Sequence, residues 1–258
     1  MVASVDVNLK PLEIDLSIYN KFNFERPPVS VKFLFQKPDG VQRLDKKLAL
    51  CEMLREAQQK NEPFYVDGEN ENCFGKFALG MVEQKAPPGL YAQIGIKWGI
   101  YQEPRANRRI HEGSPTFPKG LVNYVAFSPL DKLTFNPDLL VLAATPSQAE
   151  ILLRAMSYST GKVVESKFTI NAACKWLFIY PYKSGEVNYV VTGLSFGMKA
   201  KKVFPEGLII MSIPYNWIPT ITRNLKEMQW NLPAYTKGRE WVTEEEKRIL
   251  EELTNITS

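Results

Sequence analysis

The sequence is short of the residues that most often carry chemistry. Its 258 residues include three cysteines and a single histidine, His111. An odd number of cysteines spaced C-x21-C-x100-C, with no C-x2-C pair, argues against a disulfide framework and against a close-paired zinc site. One histidine leaves any Ser-His-Asp or Cys-His machinery dependent on His111 alone. There is no G-x-G-x-x-G and no G-x4-G-K-[ST], so neither phosphate-cradling loop is encoded. No apolar run approaches the ~18 residues of a membrane span, and the long ones, such as 139–144 and 208–211, are strand-sized. The N-terminal segment carries Asp6, Glu13 and Asp15 where a signal peptide needs a basic start and an apolar run. The expected location is therefore the cytoplasm, with no membrane partner.

What is present is ordinary for a globular chain: 45% hydrophobic and 23% charged residues, enough to bury one sizeable core. The net charge of +4 is a weak argument for an anionic partner. Residues 29–35, VSVKFLF, read as a strand after Pro27-Pro28, and Pro38-Asp39-Gly40 as a turn. Leu44, Leu48, Cys51 and Leu54 share one face of a helix expected over 41–60. Residues 64–66 read as a short strand, and Cys73 stands just before a short helix over 74–81. Residues 86–120 hold Pro87, Pro88, Pro104, Pro115 and Pro118 and read as an irregular excursion or lid. Residues 122–127 read as a strand, with Ser128-Pro129 opening a helical turn.

The clearest unit is 138–161. An apolar strand at 139–143 is followed by Thr145 as N-cap, Pro146 at the first helical position, Gln148 completing a capping box and Gly161 as the stop. It reads as half of a parallel crossover. Further strands are expected at 162–170, 186–192 and 208–213, and a helix at 218–228. Thr243 and Glu246 look like a capping box that starts a tail helix over 243–253. The expected fold class is α/β: a single domain with a mixed sheet flanked by helices, a Pro-rich excursion at about 86–120 and a short C-terminal helix. The expected organisation is an N-terminal extension at 1–24, the domain at 25–228 and a tail at 229–258.

Several constellations carry candidate chemistry. Cys51, Cys73 and Cys174 suit an iron–sulfur cluster with three protein thiolates and one open iron, which would act as a Lewis acid. Cys73 at a helix start is placed where the dipole favours a thiolate, and Asn171-Ala172-Ala173 before Cys174 leave room for a cofactor. Zinc with His111 as fourth ligand, a lone nucleophile, and plain packing of buried thiols are the other readings of the same residues. The string GLSFG at 193–197 matches G-x-S-x-G, but Lys199–Lys202 and Pro205 follow where that elbow needs a long helix. Thr145 and Ser147 open a helix after a strand, where exposed N–H groups can hold a carboxylate or phosphate; an ordinary capped helix is the simpler reading. Lys97, Arg105, Arg108, Arg109 and Lys119 form one basic cluster and Lys199, Lys201 and Lys202 another. Trp98, Tyr101, Trp176, Tyr180 and Tyr182 lie among or near them. Stacking of nucleic-acid bases needs a stronger basic stripe than this, so an anionic small molecule under Arg105, Arg108 and Arg109 is preferred over nucleic acid.

Four segments carry a family resemblance: PPVSVKFLF at 27–35, CEMLREAQQKNEPFYVDGENENCFGKFALG at 51–80, FNPDLLVLAATPSQAE at 135–150 and AACKWLFIYPYKSGEVNYVVTG at 172–193. Together they resemble the domain of unknown function 169 family of archaeal and bacterial proteins, over residues 25–228. The resemblance implies one α/β domain and cysteines at the positions of Cys51, Cys73 and Cys174. It also implies further cysteines and an arginine in the turn at 193–199, where this chain has Leu194, Gly197 and Met198, so a fourth thiolate from that turn is absent here. The preferred expectation is an uncharacterised cytoplasmic protein binding an iron–sulfur cluster through Cys51, Cys73 and Cys174 and acting on a small anionic molecule, the arginines over the site. The alternatives are a non-catalytic small-ligand or protein-binding module in which the cysteines only pack, including self-association, and a weak nucleic-acid binder.

Overall fold

The computed structural model describes residues 9–83 and 88–257. Alternating apolar residues build the centre. Strand β1 (Val29–Leu34) directs Val31 and Phe33 to one face and Leu34 to the other, all fully buried. It lies between β4 (Tyr124–Pro129) and β5 (Leu139–Ala144), antiparallel to both. With β2 (Gln42–Arg43), β3 (Phe64–Val66), β6 (Asn188–Val191) and β7 (Ile209–Pro214) the sheet runs β2-β3-β4-β1-β5-β7-β6. Among the described residues only β2 and β3 pair in parallel, which makes the sheet mixed and the protein a single α/β domain.

Both faces are covered. On one, Val31, Phe33, Phe64, Phe127 and Val141 pack against helix α1 (Leu50–Lys60) and the segment that carries Phe178. Phe127 meets Phe64 and Phe178 at centroid distances of 5.4 and 6.5 Å, and each such burial contributes about 1.5–3 kcal/mol. The other face holds Leu34, Leu140 and Leu142, covered by α5 (Pro146–Tyr158), α8 (Ile218–Glu227) and the 3-10 turn Ser17–Phe22.

Several expectations need correction. The helix after β2 starts only at Leu50, because Leu44 and Leu48 bond the strand and loop opposite them, to Tyr65 O and Asn70 O. Residues 162–170 are not a strand. Lys167 N–H donates to the Asn188 side chain and Lys167 O accepts from it, in place of a ladder. The strand–helix unit at 139–158 keeps its capping box, with Thr145 N to Gln148 Oε1 at 2.8 Å and Gln148 N to Thr145 Oγ1 at 3.3 Å. It is not a parallel crossover, since β5 runs antiparallel to β1 and β7. Ser128 and Pro129 end strand β4 and the 3-10 turn follows at Leu130–Lys132. The excursion is not irregular: it forms helices α3 (Pro88–Lys97) and α4 (Pro104–Gly113), each opened by a proline whose missing N–H costs nothing there. Its residues Ala86 and Pro87 lie outside the described ones. The tail helix α9 spans Pro233–Thr257 with a break at Gly238 (φ 76°), so Thr243 sits inside it and its hydroxyl donates to Arg239 O.

One buried ion pair closes the sheet centre. Lys32 Nζ lies 2.9 Å from Asp138 Oδ1, and Asp138 Oδ2 accepts from Phe33 N at 2.8 Å. Side-chain exposures are 4% and 15%, so the pair is shielded from solvent. Asp138→Ala should lower stability by about 3 kcal/mol, read from urea unfolding; a stability within ~0.5 kcal/mol of the parent would show that the pair does not hold the sheet.

Candidate functional site

The site begins with one buried carboxylate. Glu71, 1% exposed, accepts from Leu50 N (3.0 Å), Cys73 N (2.9 Å) and Lys76 N (3.0 Å). It thereby satisfies donors at the starts of α1 and of the short helix α2 (Gly75–Ala78). Burial pushes its pKa up while the three N–H groups pull it down, and burial is the larger effect. The loop is pinned by Asn70, whose Nδ2 donates to Leu44 O (2.7 Å) and Lys46 O (3.0 Å). Gly75 permits the close approach: a Cβ there would stand 2.9 Å from Glu71 Oε1 and 3.1 Å from Leu50 Cβ. Cys51 and Cys73 thus reach the same place because one acid ties their two segments together.

Cys174 arrives from the other side. Ala172 takes a left-handed conformation (φ 59°) that is costly for an L residue, and Lys175 N closes the turn onto Ala172 O at 2.9 Å. Asn171 joins this turn to the helical hairpin α3–α4. Its Oδ1 accepts from Tyr101 OH (2.9 Å) and its Nδ2 donates to Asn107 Oδ1 (3.0 Å). Asn107 fills the space beside Gly95, where a Cβ would come within 2.5 Å of Asn107 Nδ2. Lys175 is buried and donates to His111 O at 3.3 Å, a cation on the last turn of α4. The hairpin is therefore latched at both Asn107 and His111.

Between these parts lies a cavity of about 540 Å³. Cys51, Cys73 and Cys174 all line it, with Phe74, Ile94, Trp98, Ile100, Phe196 and Met198 as apolar wall and Asn107, His111, Asn171, Ser195 and Lys201 as polar groups. Trp98 and Phe196 stack at 5.6 Å across hairpin and helix α7 (Phe196–Ala200). Desolvation raises Cys51 from 9.0 to about 12, with the Cys73 charge adding to it, and burial pushes Cys73 and Cys174 up too. The expected thiolate at Cys73 is thus corrected: α2 is one turn long, and desolvation exceeds what its N–H groups supply. Burial lowers His111, with Lys175 adding to the effect, so the imidazole is neutral at pH 7.

The structure brings Cys51, Cys73 and Cys174 to one cavity, yet among the described residues no three His, Cys, Asp or Glu side chains come together as a metal-ion site. Arg105, Arg108 and Arg109 are exposed and do not line the cavity; Arg108 pairs with Glu112 at 2.6 Å. The hairpin does cover the thiols, but with the Asn107 and His111 face of α4. Thr145 and Ser147 are exposed at the start of α5, away from the cavity. Among the described residues no helix is long and apolar enough to cross a membrane. Sequence reasoning missed Glu71, Asn107, the bonding role of Asn171 and the cavity role of Ser195. Ser195 was visible only inside GLSFG, and its φ of −102° is relaxed, unlike the strained turn of a nucleophile elbow.

The raised thiol pKa values make a pH prediction. Unfolded thiols ionise near the ordinary 9.0 while native Cys51 holds its proton to about 12, so the native state binds more protons in between and stability falls as pH rises through that window. Urea midpoints should decline from pH 8 to 10.5, and Cys51→Ala should flatten the decline. At pH 8 native thiols should react with iodoacetamide about 100-fold slower than in urea; equal rates would mean the thiols are neither desolvated nor shielded.

Comparison with known proteins places this architecture in a family. A protein of Methanocaldococcus jannaschii, named as uncharacterized protein MJ0308, is 24% identical over 195 residues, covering 74% of this chain and 83% of its own length. No solved structure matches the chain. Residues 17–224 match the family DUF169, described as an uncharacterised ArCR, and these residues include all three cysteines, the helical hairpin and Glu71. The chain belongs to the DUF169 family.

Proposed function

We propose that the chain binds a small, largely apolar molecule in the cysteine-walled cavity. The observation that carries this reading is the cavity itself: about 540 Å³, within the roughly 300–1,000 Å³ of small-molecule sites, with a mainly apolar wall and a few polar groups. Its roof is a latched helical hairpin and its wall holds three neutral thiols, which behave as soft apolar surface at pH 7. Gly197 supplies the test, because a Cβ there would meet nothing within 4 Å. Gly197→Phe should fill the space while leaving the fold intact by circular dichroism. N-phenyl-1-naphthylamine should bind the parent saturably, with enhanced emission, and bind the variant at least about tenfold more weakly. Absence of saturable binding, or equal binding to both proteins, overturns the reading.

A second reading keeps Cys51, Cys73 and Cys174 as ligands of an iron–sulfur cluster. It is favoured by one observation, that thiols from three separate segments share one cavity wall. The donor set fits incompletely: the 193–199 turn also lines the cavity but offers Ser195, Phe196, Gly197 and Met198 and no thiol, and the three cysteines do not close round a single ion. When bound, such a group would supply Lewis-acid or redox chemistry; the chain's own contribution would be to hold it by three thiols and keep water out. Anaerobic purification and reconstitution followed by iron, zinc and sulfide analysis decides it. Metal and sulfide retained by the parent and lost in Cys51→Ser, Cys73→Ser and Cys174→Ser support the cluster, and a colourless, metal-free parent removes it.

A further inference from the structure

We propose that the occupant of the cavity is a small monocarboxylate with an apolar body, its carboxylate seated between Ser195 and Lys201; this rests on the binding reading above. Ser195 is 1% exposed and lines the cavity. Its Oγ has no hydrogen-bond partner among the described residues. A buried hydroxyl without a partner is a cost that a bound acceptor removes. Lys201 lines the same cavity from the far end of α7. Its backbone is fixed by Arg55, which donates to Lys201 O and Lys202 O at 3.4 and 3.1 Å. Its ammonium makes no ion pair among the described residues, although its charge reaches Cys51 and Cys73.

The other polar groups at or near the wall are mostly spent. Asn107, Asn171 and Tyr101 bond one another, and the nearby Glu71 carboxylate is taken up by three N–H groups. Glu52 accepts from Ala49 N at 2.9 Å and faces Arg55 at 3.5 Å. His111 presents a neutral ring against Phe74, at a centroid distance of 6.1 Å. Besides the His111 ring, what is left is a hydroxyl that donates and a cation that donates, at the two ends of one short helix. A hydroxyl donor and a cation on one cavity wall are chemically complementary to a carboxylate. Beyond them Phe74, Ile94, Trp98, Ile100 and Met198 offer only apolar surface, which selects an apolar body and rejects a second charge. The inference keeps an anionic ligand but moves its recognition from the exposed arginines of α4 to the ends of α7.

Isothermal titration with 4-phenylbutyrate and 4-phenylbutan-1-ol tests it. The parent should bind the acid about tenfold more tightly than the alcohol. Ser195→Ala and Lys201→Gln should each weaken the acid by about tenfold and leave the alcohol within about twofold. Ser195→Ala should keep the parent's thermal midpoint, since its hydroxyl gives up no partner, and Lys201→Gln changes only an exposed side chain. Equal affinity for acid and alcohol, or acid binding unchanged in both variants, overturns the carboxylate seat while leaving the cavity reading in place. Failure of both compounds to bind overturns the seat and counts against the cavity reading as well.

Discussion

The Glu71 carboxylate accepts three backbone N–H groups that belong to two different helix starts, and the position of the thiol wall depends on that arrangement. An ionised acid in an apolar interior is costly unless fully bonded. Here the bonds come from α1 at Leu50, from Cys73 itself and from Lys76 in α2, so satisfying the acid is the same act as bringing Cys51 beside Cys73. Alanine at position 71 would strand those donors and release the α1–α2 approach that Gly75 makes possible. The third thiol is positioned independently, by the left-handed Ala172 and the Asn171 contacts with the hairpin. Two constraints, one acidic and one amide-based, therefore meet across a space that neither fills.

That space is what separates this arrangement from a packed cysteine core. Packing alone would draw side chains into contact, as Phe33, Phe117 and Tyr182 do at about 5 Å between ring centroids. Around the cysteines the walls are held apart by polar latches: Lys175 on the last turn of α4, Asn107 against Gly95, and Arg55 on the carbonyls that follow α7. A mainly apolar void kept open in this way is the feature on which the proposed small-molecule binding rests.

How far the sequence spoke depended on whether the information was local. The β5–α5 unit was legible because Thr145, Pro146 and Gln148 act within four residues, and their capping box forms as read. Its neighbours in the sheet were not legible, because antiparallel pairing with β1 and β7 is a long-range fact that no local pattern encodes. The prolines at 88 and 104 were read as breakers although they open helices, a position where proline is tolerated best. The 162–170 segment holds the β-branched and aromatic residues of a strand, but both backbone groups of Lys167 are claimed by the Asn188 side chain, which takes the place of a neighbouring strand there. Cysteines 51, 73 and 174 could be named from composition, whereas Glu71 looked like any acid in a polar loop. Its role comes from burial, which only the fold supplies.

The chemistry of the wall follows from the same burial. A nucleophilic cysteine needs a lowered pKa and a partner base, but here all three thiols are pushed up and His111 is neutral. A serine nucleophile would need a base bonded to its hydroxyl, and Ser195 Oγ has no such bond among the described residues. The thiol reading is disfavoured by desolvation and the serine reading by the lack of a base, but burial of a polar group is an asset for recognition. A hydrogen bond offered to a ligand by a buried hydroxyl such as that of Ser195 is stronger than one offered in water. In the proposed complex the apolar walls, the spare hydroxyl and the cation at the mouth would act together on one property of the ligand, the contrast between a charged end and an apolar body.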